Sequence, residues 1–259
     1  MMEIELIERG TPTDRPSLLF VHGAFHDARC WDEHMLPWFA DRGWHACALS
    51  LRGHGNSPGD VQTDDISLSD FLDDILTCID RINGPVILIG HSMGGGLCEL
   101  TYDKHPAVKG VCFVAPSPRR PAASVVLRIL ATHPIKLIRG QFFGDDDALR
   151  DVFIDSFFPP DMPTQDRLRA EGMVSYESRP AMSELFGRKP PEPKKIPAMP
   201  FMIIGGADDW SIPVHKFKPL VQAFDAPLHI VPGAHDLMLD PKWEQTATCL
   251  HDWLNSQFN

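Results

Sequence analysis

The feature that most constrains this chain is a serine placed between two glycines at the end of an apolar run. Residues 86–89 read VILI, and the pentapeptide GHSMG follows at 90–94, before a helix-compatible stretch at 97–104. A strand, a tight turn and a helix in this order are typical of a nucleophile elbow, in which the serine hydroxyl projects from the sheet. Glycine is needed at both flanking positions, because a side chain there would collide with neighbouring backbone. The pattern predicts Ser92 as a catalytic nucleophile.

Around this motif, apolar strand-like runs alternate with helix-like segments. The clearest helical spacing lies at 68–82, where Ser67 and Asp70 resemble a capping box. Strands that are apolar on both faces and separated by helices build a parallel sheet. We therefore predict an α/β fold with a mostly parallel central sheet flanked by helices. The predicted strands are Ile4–Ile7, Ser17–Val21, His45–Leu51, Val86–Ile89, Val111–Ala115, Phe201–Ile204 and Leu228–Val231, and further helices are predicted at Trp31–Asp41, Lys216–Phe224 and Pro241–Ser256.

The alternation breaks between residues 117 and 195. This stretch of 79 residues holds ten of the 24 prolines and contains only short helical candidates, at 122–131, 147–157, 165–174 and 181–186. Proline interrupts helices and fixes the connections between them. We interpret the stretch as a helical cap, or lid, inserted at 117–195 into a core domain formed by 1–116 and 196–259.

A serine hydroxyl is a weak nucleophile and needs a base together with a group that orients the base. In this architecture the expected chain order is serine, acid, histidine. His235 follows the last predicted strand and is the best candidate for the base. Asp208 and Asp209 both follow the strand at 201–204, and we prefer Asp209 because it completes a G-x-x-D-x-x-x-P frame. Asp208 remains the alternative acid.

The developing oxyanion of an acyl-transfer reaction needs backbone N–H donors. One predicted donor is Met93, the residue after the nucleophile, and a second comes from the loop after an early strand. In that loop, HGAF at 22–25, Ala24 is the first choice and Phe25 the second. The side chains of Phe25 and Trp210 are candidate substrate contacts.

Composition excludes several other classes of function. The net charge of −11 argues against nucleic acid as a partner, because phosphate binding needs a basic surface. No run of 18 apolar residues exists, so neither a membrane-spanning helix nor a membrane partner is predicted. The acidic N-terminus and six cysteines without a C-x-x-C pair suggest a reduced, cytoplasmic protein. A small-molecule substrate is expected, with no metal and no cofactor, and the sequence does not indicate an oligomeric state.

Five motifs together resemble the α/β-hydrolase fold family, specifically its single-domain esterases, lipases, lactonases and cofactor-free haloperoxidases with a helical cap. The motifs are HGAF at 22–25, LRGHGNS at 51–57, GHSMGG at 90–95, GGADDWSIP at 205–213 and PGAHDLMLDP at 232–241. The resemblance implies that the insertion at 117–195 forms a lid over the serine. One position departs from the family pattern: Ser50 stands where the family usually has an aspartate, two residues before the arginine of the second motif.

The favoured hypothesis for function is hydrolysis of a small ester or lactone through an acyl-serine intermediate. The same three side chains could instead support perhydrolysis, hydrolysis of a C–C bond or cyanohydrin lysis. A third hypothesis is a hydrolase-like receptor that binds a small molecule under the cap without turnover.

Overall fold

The computed structural model describes residues 3–117, 123–187 and 199–258. Seven strands in these ranges form one sheet in the order β1-β3-β2-β4-β5-β6-β7. Only β1 runs antiparallel to its neighbour, and every other neighbouring pair is parallel, which confirms the predicted fold class. The strands are β1 (Leu6–Arg9), β2 (Ser17–Val21), β3 (Ala46–Leu49), β4 (Val86–His91), β5 (Val108–Val114), β6 (Phe201–Gly206) and β7 (Leu228–Val231).

Helices connect the strands and cover the sheet. The described ranges contain α1 (Arg29–Asp32), α2 (Met35–Ala40), α3 (Leu68–Ile82), α4 (Met93–Thr101), α5 (Ala123–Thr132), α6 (Pro134–Phe142), α7 (Asp146–Phe157), α8 (Thr164–Glu171), α9 (Arg179–Gly187), α10 (Lys218–Phe224) and α11 (Trp243–Phe258). The predicted capping box of α3 is present, since the side chains of Ser67 and Asp70 each bond the other residue's backbone N–H. Within these ranges, none of the helices combines the length and the apolarity needed to cross a bilayer.

Two apolar cores lie on opposite sides of the sheet, because successive residues of a strand face opposite sides. In β4, Ile87 and Ile89 belong to the core that includes residues of α1, α2 and α11. Val86 and Leu88 belong to the core that includes residues of α3, α4 and α10. This double burial explains why the central strands are continuous apolar runs in the sequence.

The residues between β5 and β6 form five helices, α5 to α9, and no strand in the part that the structure describes. Residues 118–122 and 188–198 lie outside the described ranges, so the cap boundaries at 117 and 195 stay predictions. The prediction omitted α6, which starts at Pro134, a residue well suited to the first turn of a helix. It also extended α8 to residue 174, whereas the helix ends at Glu171.

Two predicted core helices are wrong in detail. The helix predicted at 31–41 consists of two short helices, α1 and α2, because the backbone leaves the helical region at His34 (φ −136°). The helix predicted at 216–224 is a 3-10 turn at Val214–Phe217 followed by α10.

In the turn after β3, Ser50 and Asn56 form hydrogen bonds to the carboxylate of Glu5. The Ser50 hydroxyl accepts a hydrogen bond from the Ala28 N–H (3.1 Å) and donates one to Glu5 (2.6 Å). Glu5 also accepts from the Asn56 N–H at 2.9 Å. The Glu5 side chain from the N-terminal segment therefore supplies a carboxylate beside Ser50, where the family pattern has an aspartate.

Candidate active site

Ser92 lies in the tight turn between β4 and α4. Its backbone has φ 49° and ψ −114°, a conformation that a side-chain-bearing residue seldom adopts. A Cβ atom added at Gly90 would lie 2.4 Å from the Gly94 carbonyl oxygen, and one added at Gly94 would lie 2.4 Å from the Val21 carbonyl oxygen. Both contacts are with backbone, which cannot easily move. The two glycines therefore allow β4, β2 and the start of α4 to approach closely around the serine.

Three side chains predicted to act together are brought together in the structure. His235 Nε2 lies 3.0 Å from Ser92 Oγ, and His235 Nδ1 lies 2.8 Å from Asp209 Oδ2. The other carboxylate oxygen of Asp209 accepts hydrogen bonds from the Ser211 N–H, the Ser211 hydroxyl and the Ile212 N–H. All four of these interactions at Asp209 fix the orientation of its carboxylate toward the imidazole.

Asp208, the alternative acid, has a different environment. It is exposed, and its carboxylate lies 3.8 Å from the Lys242 ammonium group. Asp209, by contrast, is buried. The carboxylate that contacts His235 is therefore that of Asp209.

Burial and charge act in opposite directions on the pKa values of this pair. Burial alone would lower the pKa of His235, but the charge of Asp209 and the hydrogen bond to it raise that pKa above its usual value. Burial likewise would raise the pKa of Asp209, but His235 and the hydrogen bonds from Ser211 and Ile212 lower it. Each group stabilises the charged form of the other, as expected where an imidazolium must form transiently.

The serine opens onto a largely apolar cavity of about 200 Å³, which is continuous with solvent. Phe25 and Trp210, the predicted substrate contacts, both lie in its wall, as do Ser92 and His235. The described lining residues include no lysine, arginine, aspartate or glutamate. The large apolar lining residues come from the loop after β2, from the helices between β5 and β6 and from the loop after β6, and they are Phe25, Ile129, Phe153, Phe157, Phe186 and Trp210.

Comparison with known proteins agrees with this architecture. The sequence model described as "Alpha/beta hydrolase family" matches residues 18–247, which is most of the chain. The chain belongs to the alpha/beta hydrolase family.

Individual relatives within the family are distant. The chain is 24% identical over 237 residues to the pyrethroid hydrolase of Sphingobium wenxiniae, covering 84% of this chain and 80% of the relative. It is 27% identical over 272 residues to the monoacylglycerol lipase of Mycolicibacterium smegmatis, covering 95% and 91%. The enol-lactonase structure from Burkholderia xenovorans superposes with a TM-score of 0.77 at 16% identity, covering 98% and 97%. At that identity the structural likeness shows the shared fold alone.

The residues predicted as oxyanion donors lie near Ser92. Met93 is the first residue of α4, and Ala24 lines the cavity. The Phe25 N–H already donates to the Glu177 carboxylate at 3.2 Å, and the Phe25 carbonyl accepts from the Ser175 N–H at 2.6 Å. The N–H of Phe25, the second-choice donor, therefore already bonds a residue of the segment between β5 and β6.

Sequence reasoning missed Glu177. This residue lies between α8 and α9, is buried, accepts a second hydrogen bond from the Ser178 N–H (2.7 Å), and lies 3.4 Å from His54 Nε2. Its bond to Phe25 joins residues 152 positions apart, and no motif in the sequence marks that pairing. Phe25 has φ 68°, which lies in the left-handed region that non-glycine residues rarely adopt.

The sequence predicts Ser117 only as the first residue of the cap, but in the structure its hydroxyl lies 3.0 Å from Ser92 Oγ. Its N–H also donates to the Ser92 carbonyl. Since both contacts depend on how β5 passes the elbow, local sequence gave no signal for them.

A second group of buried polar side chains connects the loop after β2 with the loop that carries His235. Asp236, fully buried, lies 3.0 Å from His26 Nε2, and His26 Nδ1 bonds the Ala24 carbonyl at 3.0 Å. His91 Nε2 donates to the His235 carbonyl at 3.1 Å. These contacts therefore join the loop that carries Ala24 and His26 to the loop that carries His235 and Asp236.

Two groups of described side chains bring three possible metal ligands within reach of one another. In one group His235 already contacts Ser92 and Asp209, and in the other His45 contacts Ser17 at 2.8 Å. Other protein groups therefore already contact both of these histidines. The groups are Glu8, His45 and Cys47, and His91, His235 and Asp236.

Proposed function

We propose that this protein is a carboxylic ester hydrolase that cleaves a small ester or lactone. The observation that carries the proposal is the chain of hydrogen bonds from Asp209 through His235 to Ser92, at the wall of an apolar cavity. Relatives named as a hydrolase and a lipase support the same class of reaction.

In the proposed mechanism, His235 Nε2 accepts the Ser92 proton as Oγ attacks the substrate carbonyl. The tetrahedral intermediate collapses to an acyl-serine, and His235 returns the proton to the leaving alcohol. A water molecule then attacks the acyl group while His235 accepts its proton. The second tetrahedral intermediate collapses as the acyl–Oγ bond breaks, the carboxylic acid leaves, and His235 returns the proton to Ser92 Oγ. Asp209 holds the imidazole with its proton on Nδ1 and stabilises the imidazolium that forms in each half-reaction.

The developing oxyanion would be bound by the N–H groups of Ala24 and Met93. Met93 begins α4, so the partial positive charge at that helix N-terminus adds to the stabilisation. The Phe25 N–H serves a different purpose in this proposal, because Glu177 accepts from it.

The cavity supports a substrate that is uncharged and partly apolar. Its described lining residues offer aromatic and aliphatic surface and no side chain that would pair with a substrate carboxylate or ammonium group. The side chains of Phe25 and Trp210 would contact the apolar portion. In the proposed organisation, residues 1–116 and 196–259 form the catalytic core, and residues 117–195 form the cap that encloses the substrate.

The test is hydrolysis of a short-chain aryl ester by the parent protein and by Ser92→Ala. We expect kcat/KM to fall by at least about 10⁴-fold, because the nucleophile is removed while the fold is kept. Ser156→Ala is the matched control: Ser156 also lines the cavity, but its hydroxyl donates to the Phe153 carbonyl at 2.6 Å. Turnover that survives Ser92→Ala, or binding of the ester without any turnover by the parent, would contradict the proposal.

A further inference from the structure

The cap presents an unusual number of large apolar side chains to solvent. Six of them lie on α5, α6 and the residue that follows α6, and we call them the α5–α6 face. Phe142 and Phe143 are each 78% exposed. Soluble proteins rarely expose several large apolar residues together unless the surface has a partner. The α5–α6 face consists of Leu127, Leu130, Ile135, Ile138, Phe142 and Phe143.

Spacing places these residues on common sides of their helices. On α6, Ile135, Ile138 and Phe142 are separated by three and four positions, the spacing of one helical stripe. On α5, Leu127 and Leu130 are three positions apart. Each helix therefore presents an apolar stripe outward, which is the reverse of what packing into a core requires.

The charge of this segment differs from that of the rest of the chain. Residues 117–144 contain five basic residues and no acidic one, although the chain as a whole carries −11. The acidic run Asp145–Asp147 follows directly, and its side chains contact Arg139, Arg179 and Tyr176. Two of the five, Arg119 and Arg120, lie outside the described residues. Lys136 pairs with Asp151 (3.1 Å) and Arg139 with Asp145 (2.5 Å), and both cations are substantially exposed. Exposed pairs of this kind are weak and can exchange an acidic side chain for another anion.

The α5–α6 face also adjoins the cavity that holds Ser92. Ile129, between two residues of the face, lines that cavity. The guanidinium group of Arg128 lies 4.1 Å from the centre of the Trp210 ring, in the cavity wall. A surface bound to α5 would therefore lie close to a route into the site.

We propose that the α5–α6 face binds the surface of an anionic lipid bilayer. Exposed apolar residues would enter the boundary between headgroups and acyl chains, while the basic residues would contact anionic headgroups. The expectation of no membrane partner rested on the lack of a spanning segment, and a helix pair lying on the surface needs none. Binding itself is independent of the proposed ester hydrolysis. Its consequence for that reaction would be access to esters dissolved in the lipid phase.

A second copy of the chain is the competing occupant of the face. In a two-fold symmetric dimer the same patch meets itself, so the basic residues of both copies would face one another. The charge of the segment therefore favours an anionic lipid surface over self-association.

The experiment measures flotation of the full chain with vesicles of phosphatidylcholine alone and of phosphatidylcholine mixed with phosphatidylglycerol. The parent should bind the mixed vesicles at least about tenfold more strongly, and the binding should weaken as salt is added. Two double variants test the two contributions: F142S with F143S removes apolar contact, and K136E with R139E reverses charge. Each should reduce binding to the mixed vesicles by at least about tenfold.

Leu168→Ser is the matched control, since Leu168 is 64% exposed but lies on α8, outside the face. It should bind as the parent does. Failure of the parent to bind mixed vesicles, or equal binding by the parent and both double variants, would overturn the proposal. So would a parent dimer that F142S with F143S converts to a monomer without any vesicle binding, because the face would then be covered by a second copy.

Discussion

Replacing Glu177 tests how the proposed cap is joined to the loop that carries the proposed oxyanion donor. The Glu177 carboxylate is buried and accepts from the N–H groups of Phe25 (3.2 Å) and Ser178 (2.7 Å). It also lies 3.4 Å from His54 Nε2. Burial alone would lower the pKa of His54, but Glu177 raises it, so the carboxylate helps hold a charge on this buried imidazole. Glu177→Leu keeps an apolar volume in place but removes every acceptor.

The expected loss follows from these contacts. A hydrogen bond to a charged group contributes about 1.5–3 kcal/mol, and removing one partner of a buried ion pair costs about 3–5 kcal/mol. These effects overlap, because His54 can release its proton once Glu177 is gone. We expect Glu177→Leu to lower the free energy of unfolding by about 3–5 kcal/mol. Glu177→Gln keeps one carbonyl acceptor and should lose about 1–2 kcal/mol.

Urea unfolding followed by far-ultraviolet circular dichroism measures these losses. Glu171→Leu is the matched control, since Glu171 is also in the proposed cap but makes a partly exposed pair with Arg167 (2.7 Å), worth under about 1 kcal/mol. We also expect kcat to fall more than KM rises in Glu177→Gln, because Phe25 adjoins Ala24. If Glu177→Leu proves no less stable than Glu171→Leu, the reasoning about the cap attachment is refuted.

Three further outcomes are expected. Asp209→Asn should lower kcat for an aryl ester by about 10⁴-fold. Asp208→Asn should change kcat less than about threefold, since the Asp208 side chain is exposed. The reverse ranking would identify Asp208 as the acid. The charge of Asp209 and its hydrogen bond outweigh the effect of burial and raise the pKa of His235, and protonated His235 cannot act as a base. The value of kcat/KM should therefore fall with decreasing pH, at a midpoint above about 6.5. Asp209→Asn should move that midpoint to lower pH, and an unmoved midpoint would argue against the pairing of Asp209 with His235. Gly94→Ala should lower the free energy of unfolding by more than about 3 kcal/mol, because the new Cβ would meet backbone atoms. Gly96→Ala should leave the free energy of unfolding unchanged or higher, because its Cβ meets only the Leu185 side chain, at 3.3 Å. Equal urea midpoints for the two variants would contradict this.

The sheet and the elbow could be predicted because their constraints are local. A strand buried on both sides must be a continuous apolar run, as Val86–Ile89 is, and the close approach at Gly90 and Gly94 admits no side chain. The order of serine, acid and histidine along the chain indicated His235 and the pair Asp208 and Asp209, and the G-x-x-D-x-x-x-P frame favoured Asp209, whose carboxylate contacts His235 in the structure.

Features that depend on contacts between distant segments could not be predicted. Glu177 follows a helix in the cap, and nothing in its neighbourhood indicates that it bonds Phe25. Ser117 comes within 3.0 Å of Ser92 only because β5 lies next to β4. Helix α6 was not predicted, although Ile135, Ile138 and Phe142 have the spacing of one helical stripe. The break between α1 and α2 likewise follows from backbone geometry at His34 that the apolar pattern does not encode.

The claim that Ser92 is an activated nucleophile is tested most directly by covalent labelling. An aryl phosphonate that reacts with activated serines is incubated with the parent, with Ser92→Ala and with the control Ser156→Ala, and the adduct is located by peptide mass spectrometry. The account predicts one adduct, on Ser92, that forms in parallel with the loss of ester hydrolysis, is absent in Ser92→Ala and is retained in Ser156→Ala. An adduct on another residue, or complete labelling of Ser92 without loss of turnover, would contradict it.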